Sequence, residues 1–169
     1  MKKIVLLLTL MLTLNLSAQE TLSKFELETI SDKIIHVETQ KDLIVFKEHN
    51  SSVTFLLFFG HNCKPCLKEI PELKKLTEKK YEDLKLLAID IHGYNKKDLK
   101  KFKKEKEINY PLLTREENKK FINYIKAKTG WRGSLPFVVV FNKKGEAKLA
   151  HRGALNFEKF ELIYKATKK

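Results

Sequence analysis

The chain has 169 residues, and its formal net charge is +13 because 34 Lys and Arg residues outnumber 21 Asp and Glu residues. It contains no repeat, low-complexity segment or internal linker, so this length predicts one domain rather than several. The excess charge is nearly all lysine, and lysines such as Lys74, Lys75, Lys79 and Lys80 are interleaved with apolar residues at helical spacing. We therefore interpret the charge as solvated helix faces and predict no nucleic-acid partner, with weak association with an anionic membrane surface as a second use of the charge.

The first 18 residues have the pattern of a secretory signal peptide. Lys2 and Lys3 give a positive start, residues 4–16 are almost entirely apolar, and small residues up to Ala18 suit cleavage. A membrane span needs about 18 or more apolar residues, which this run does not reach. We predict a signal peptide over residues 1–18 and one domain over residues 19–169, in the periplasm or elsewhere outside the cytoplasm. Retention as an uncleaved N-terminal anchor is the alternative.

Two short strands begin the predicted domain. Residues 25–30 alternate apolar and polar side chains, residues 34–37 are mostly apolar, and the three residues between them suit a turn. We expect a leading β-hairpin here, followed by a short helix within residues 39–50. Residues 53–59 form a near-continuous apolar, aromatic and β-branched run, which predicts a strand buried on both faces.

The rest of the chain alternates between helical and strand patterns. Leu67, Ile70, Leu73 and Leu76 have helical spacing and predict a helix over residues 64–80. The further predicted elements are a buried strand over 84–91, a helix over 96–107, a short strand over 110–113, a helix over 116–129, a hairpin of 137–141 with 147–152, and a final helix to 168 capped by Asn156. This order predicts an α/β fold with a mixed central sheet, helices on both faces and an N-terminal β-hairpin extension.

The motif Cys63-Lys64-Pro65-Cys66 stands where the buried strand passes into the first helix. The unpaired N–H groups of a helix start stabilise a thiolate at Cys63, and Lys64 adds a second positive charge. Cys66 lies nearly one turn further and should point into the domain, while Pro65 fits the first turn of a helix. We predict that Cys63 attacks a disulfide and Cys66 resolves the mixed disulfide, with no cofactor besides the redox-active disulfide Cys63–Cys66.

Two cysteines can also serve a metal site, an isomerase or a peroxidase. A structural zinc site needs four ligands, and the sequence has no further cysteine. A non-enzymatic copper carrier that uses His61, Cys63 and Cys66 is the alternative function. An isomerase would need a dimerisation segment, which is absent, and we expect a monomer. The usual peroxidatic motif is also absent.

Residues 57–71 read LFFGHNCKPCLKEIP, and this segment resembles the active-site segment of the thioredoxin superfamily. It is most similar to the exported TlpA/ResA-like branch, which includes cytochrome c maturation thioredoxins and commonly reads C-x-P-C-x-x-E-x-P. The resemblance covers roughly residues 25–168. It implies a thioredoxin-like fold and an exported thiol–disulfide oxidoreductase that reduces disulfide-bearing exported proteins, apocytochrome c among them. It also implies a membrane thiol electron donor.

The resemblance assigns roles to residues beyond the cysteines. Glu69 matches the glutamate that assists proton transfer in ResA-like proteins, and its spacing from Cys66 brings it to the same side of the helix. Pro136 matches the cis-proline that faces the disulfide, although most X–Pro bonds are trans. In the family, the backbone of the preceding residue, here Leu135, pairs with the substrate chain.

Three positions depart from the family pattern. Asn62 stands where the family usually has Trp, and Leu57 stands where it has a buried Asp or Asn. Phe137 replaces a Thr that often follows the cis-proline. We expect these changes to affect partner choice and redox potential more than the thiol chemistry itself.

Overall fold

The computed structural model describes residues 22–168, so the predicted signal peptide lies outside the described residues. The elements in chain order are β1 Ser23–Glu28, β2 Ile34–Gln40, β3 Leu43–Phe46, a short 3-10 helix Lys47–His49, β4 Val53–Phe59, α1 Lys64–Glu78, β5 Leu84–Asp90, α2 Lys96–Glu105, β6 Leu112–Thr114, α3 Lys119–Thr129, β7 Phe137–Phe141, β8 Ala147–Arg152 and α4 Phe157–Thr167. Within this part of the chain, no helix is both long enough and apolar enough to span a bilayer.

A five-stranded mixed sheet forms the centre of the fold, in the order β6-β5-β4-β7-β8. β5 runs parallel to both β4 and β6, whereas β7 runs antiparallel to β4 and β8. All seven residues of β4 are buried, because helices or strands cover this central strand on both faces. The predicted mixed α/β fold is therefore confirmed.

Alternate residues of β4 contribute to two separate hydrophobic clusters, one on each face of the sheet. Phe55 and Leu57 pack with buried residues of α1, α2 and α4. Leu56 and Phe58 pack on the opposite face with α3 and with the small N-terminal strands. This division follows from the two-residue period of a strand, and it explains why the whole run is apolar.

The N-terminal extension is a three-stranded antiparallel sheet in the order β1-β2-β3. The predicted hairpin of β1 and β2 is confirmed, but residues 39–50 were only partly predicted. They contain the strand β3, and the short helix is limited to one 3-10 turn. Ile44 and Phe46 of β3 are buried against the central sheet, so tertiary packing decides the conformation of a four-residue apolar run.

The predicted helices and strands are all present, with ends that differ by up to three residues. α1 ends at Glu78 and α2 at Glu105, two residues earlier than expected in each case. α3 begins at Lys119 rather than at residue 116. Asn156 caps α4 as predicted, because its side chain accepts a hydrogen bond from the Lys159 N–H at 3.1 Å.

Candidate active site

Cys63 and Cys66 are joined by a disulfide at the start of α1. Cys63 is the residue that caps the helix, and its Sγ accepts a hydrogen bond from the Cys66 N–H at 3.4 Å. Cys63 is half-buried, whereas Cys66 is only 2% exposed and belongs to the hydrophobic cluster beneath the helix. The arrangement gives one sulfur that solvent and a partner can reach and one that the fold shields.

Lys64 and Pro65 lie on the exposed side of the first turn of α1. Pro65 is accommodated there because the N–H groups of a first helical turn have no partner within the helix. Lys64 forms no ion pair within residues 22–168, so its charge faces solvent directly beside Cys63. α1 continues through the exposed Pro71 to Glu78.

Glu69 is a buried carboxyl on the same helix, 3% exposed. Its Oε1 accepts a hydrogen bond from the Leu155 N–H at 2.9 Å. Burial raises the pKa of Glu69 to about 7, and the Leu155 N–H opposes that rise only in part. The buried side of α1 thus carries both Cys66 and, three residues on, a carboxyl that gains and loses its proton near neutral pH.

The Leu135–Pro136 peptide bond is cis, as the resemblance implied. Leu135 is half-buried and packs against the same hydrophobic cluster that contains Cys66. Trp131 stabilises the loop that precedes Leu135, because its Nε1–H donates a hydrogen bond to the Ser134 carbonyl at 2.7 Å. Its ring also stacks on Phe137 with centroids 4.9 Å apart.

The residues that depart from the family pattern have distinct surroundings. Leu57 is 2% exposed and fills the cluster beneath α1. Phe137 is 2% exposed and lies under Trp131, where a smaller threonine would leave space. Asn62 is exposed next to Cys63, and its Oδ1 pairs with Nδ1 of His92.

Sequence reasoning missed Asp90, which is fully buried at the end of β5. Its carboxylate accepts hydrogen bonds from the N–H groups of His61 at 3.0 Å and Tyr94 at 2.9 Å. It also lies 3.2 Å from Nδ1 of His61. The sequence did contain a signal for this role. The predicted buried strand of residues 84–91 contains Asp90 near its end, and the strand of residues 53–59 leads to the cysteines. If two such strands pair in parallel, their carboxyl ends lie side by side.

The residues of the alternative copper set are engaged elsewhere in this oxidised form. Nδ1 of His61 faces Asp90, and the two cysteine sulfurs are bonded to each other. Across residues 22–168, no group of three or more His, Cys, Asp and Glu side chains is arranged to hold a metal ion.

Comparison with known proteins shows the family and the fold of the chain. The family model described as AhpC/TSA family matches residues 19–150. The thiol-disulfide oxidoreductase ResA of Geobacillus kaustophilus is 26% identical over 115 residues, which cover 68% of this chain and 62% of ResA. The chain therefore aligns with about three fifths of that relative's length.

Solved structures show the thioredoxin-like fold. StoA from Bacillus subtilis superposes with a TM-score of 0.63 at 17% identity, covering 83% of this chain and 95% of StoA. The exposed lipoprotein thioredoxin of Streptococcus pneumoniae gives 0.62 at 19% identity, covering 85% and 99%. A thiol:disulfide interchange protein DsbE from Chlorobium tepidum gives 0.60 at 16% identity, covering 85% and 91%.

Proposed function

The chain belongs to the AhpC/TSA family, and we propose that it is a thiol–disulfide oxidoreductase that reduces disulfides of extracytoplasmic proteins. One observation carries the proposal: Cys63 and Cys66 form a disulfide at a helix start, with Cys63 partly accessible to solvent and Cys66 buried. The similarity to a relative named as a thiol-disulfide oxidoreductase supports the same chemistry.

The first step is the attack of reduced Cys63 on a substrate disulfide. The thiolate of Cys63 is stabilised by the helix start and by the adjacent Lys64. It bonds to one substrate sulfur and expels the other as a thiolate, which takes a proton from solvent. The backbone of Leu135, before the cis Pro136, pairs with the substrate chain during this step.

The second step releases the substrate. The Cys66 thiolate attacks the Cys63 sulfur and forms the Cys63–Cys66 disulfide. The substrate sulfur that was bonded to Cys63 leaves as a thiolate, which takes a proton from solvent. Two electrons have then passed from the dithiol to the substrate. Glu69 accepts the proton of the Cys66 thiol, a role for which a carboxyl with a pKa of about 7 is suited near neutral pH.

The proposal extends to location and partners. The signal peptide over residues 1–18 directs export, and a membrane thiol electron donor returns the Cys63–Cys66 disulfide to the dithiol. The substrates are exported proteins with disulfides, apocytochrome c being one by family analogy. The protein acts as a monomer. Pro65 favours the reduction of substrate disulfides over their formation. The basic surface gives weak association with anionic membranes.

The test is reduction of insulin disulfides combined with trapping of partners in the exported compartment. We expect wild type to reduce insulin, Cys63→Ser to be inactive, and Cys66→Ser to accumulate mixed disulfides on Cys63 because the resolving thiol is missing. Exported proteins that are captured by Cys66→Ser and not by Cys63→Ser would be the substrates.

Anaerobic loading with copper separates this function from the copper carrier. Stoichiometric copper bound by the reduced protein, together with no reduction of insulin, would contradict the oxidoreductase and favour the carrier. Reduction of insulin without stoichiometric copper supports the proposal.

A further inference from the structure

A cluster of polar and aromatic side chains lies beside the cysteines, and it includes Asn62, the residue before Cys63. We call it the Asp90 cluster, and it consists of His61, Asn62, Asp90, His92 and Tyr94. His61 and Asn62 immediately precede Cys63, whereas the other three residues lie at the end of β5 and in the loop that follows. Two segments separated by about thirty residues therefore share one cluster.

Asp90 fixes the geometry of both segments. Its buried carboxylate accepts hydrogen bonds from the N–H groups of His61, Gly93 and Tyr94 at 3.0, 3.1 and 2.9 Å. The His61 ring lies flat on the Tyr94 ring with centroids 3.4 Å apart, and its Nδ1 is directed to Asp90. The backbone before Cys63 and the backbone after β5 are thereby held together.

His92 and Asn62 are the two exposed members of the Asp90 cluster, and Asn62 immediately precedes Cys63. The ring of His92 stands edge-on to the His61 ring at 5.8 Å, and its Nδ1 pairs with Oδ1 of Asn62. It also lies against Gly60, where any Cβ would overlap the imidazole ring. The absence of a side chain at Gly60 thus allows His92 to approach the residues before Cys63.

The pairing of His92 with Asn62 determines what the two side chains offer to a ligand. Because an amide oxygen only accepts, Nδ1 of His92 is the donor, and Nε2 of the neutral imidazole is an acceptor. Neither this Nε2 nor Nδ2 of Asn62 has a hydrogen-bond partner within residues 22–168. The pair therefore presents one acceptor and one donor, which match the N–H and C=O of a polypeptide backbone.

We propose that His92 and Asn62 bind the backbone of the substrate polypeptide beside its disulfide. This inference rests on the proposed function and gives its site a second contact with the substrate backbone, besides the one at Leu135. Asp90 and His61 act as positioning residues that hold the pair in place.

The test compares two disulfides that differ in whether they carry a polypeptide. One is a synthetic peptide cyclised through a C-x-x-C disulfide, and the other is hydroxyethyl disulfide, which has no peptide group. For His92→Ala we expect the ratio of kcat/KM for the peptide to kcat/KM for hydroxyethyl disulfide to fall roughly 3- to 10-fold, as for one lost hydrogen bond. General damage to the fold or to the cysteines would lower both rates and leave the ratio unchanged.

Two further variants complete the experiment. Gly60→Ala keeps the imidazole of His92 but displaces it, so it should also lower the ratio of the two kcat/KM values. If His92→Ala is thermally unstable, Gly60→Ala tests the role of His92 in its place. His36→Ala is the matched control, because His36 is also exposed and pairs with Glu48 on the small N-terminal sheet. His36→Ala should leave the ratio as in wild type.

The outcomes separate this inference from the function on which it rests. An unchanged ratio in both His92→Ala and Gly60→Ala, with wild type reducing both disulfides, overturns the role of His92 and leaves the oxidoreductase intact. If wild type reduces neither the cyclised peptide nor hydroxyethyl disulfide, the proposed function itself is overturned.

Discussion

Glu69 connects the chemistry of the site to the stability of the whole chain. A buried carboxyl with one hydrogen-bond donor prefers to be neutral, so burial raises its pKa from 4.5 to about 7. Between these values the folded protein binds more protons at Glu69 than the unfolded chain does. The contribution of Glu69 is therefore fully present below pH 4.5, and it is lost as the pH rises through about 7.

Glu69→Gln should remove the decrease in stability at high pH, because glutamine carries no ionisable proton. The amide oxygen of the glutamine can still accept the hydrogen bond from the Leu155 N–H. The unfolding free energy of the variant relative to oxidised wild type should increase by about 3 kcal/mol between pH 4.5 and pH 8. Urea denaturation at several pH values measures the difference, with the exposed Glu82→Gln as control for the substitution itself. A constant difference across this range would show that Glu69 ionises as an ordinary glutamate.

Asn118 joins the small N-terminal sheet to the central fold. It is 2% exposed, and its Oδ1 accepts from the Glu28 N–H at 3.1 Å. Its Nδ2 donates to the carbonyls of Glu28 and Thr114 at 3.1 and 3.0 Å. One amide thus satisfies the backbone at the end of β1 and at the end of β6, which explains why α3 starts only after this residue.

Asn118→Ala should destabilise the protein because the N–H and C=O of Glu28 lose their partner inside the fold. We expect a loss of about 2–3 kcal/mol in unfolding free energy, seen as a lower urea midpoint at an unchanged slope. Asn123→Ala is the matched control, since Asn123 is an exposed asparagine on α3, the helix that follows Asn118. If both variants lose equally little, the side chain of Asn118 does not hold the two sheets together.

The sequence was informative wherever one element decides its own structure. β4, α1 and the cysteine motif were predicted because a continuous apolar run and a helical period are local patterns. β3 was missed because four residues carry too little pattern and become a strand only by pairing with β2. The same limit applies to Asp90, whose role depends on the parallel register that places it opposite Phe59. The role of His92 likewise could not be predicted, because it depends on contact between the loop after β5 and the residues before Cys63.

Charge acts over the molecule as a whole, and its distribution should favour acidic polypeptides as substrates. The net charge is +13, and the two carboxyl groups of the site, Glu69 and Asp90, are both buried. Lys64 and Lys68 are exposed on the first two turns of α1 and form no ion pair within the described part of the chain. The surface around Cys63 therefore presents positive charge that should attract acidic polypeptides.

An acidic disulfide-bonded peptide should be reduced faster than a neutral peptide of the same length at low salt, because opposite charges accelerate encounter. Raising NaCl from about 20 to about 200 mM shortens the screening length below about 10 Å, so kcat/KM for the acidic peptide should fall several-fold. The neutral peptide should change little over the same range. Lys68→Gln should weaken the salt dependence, whereas Lys144→Gln, an exposed lysine in the turn between β7 and β8, serves as the matched control. Equal salt dependence for the two peptides would mean that charge near Cys63 does not guide substrates, and that recognition depends on short-range contacts alone.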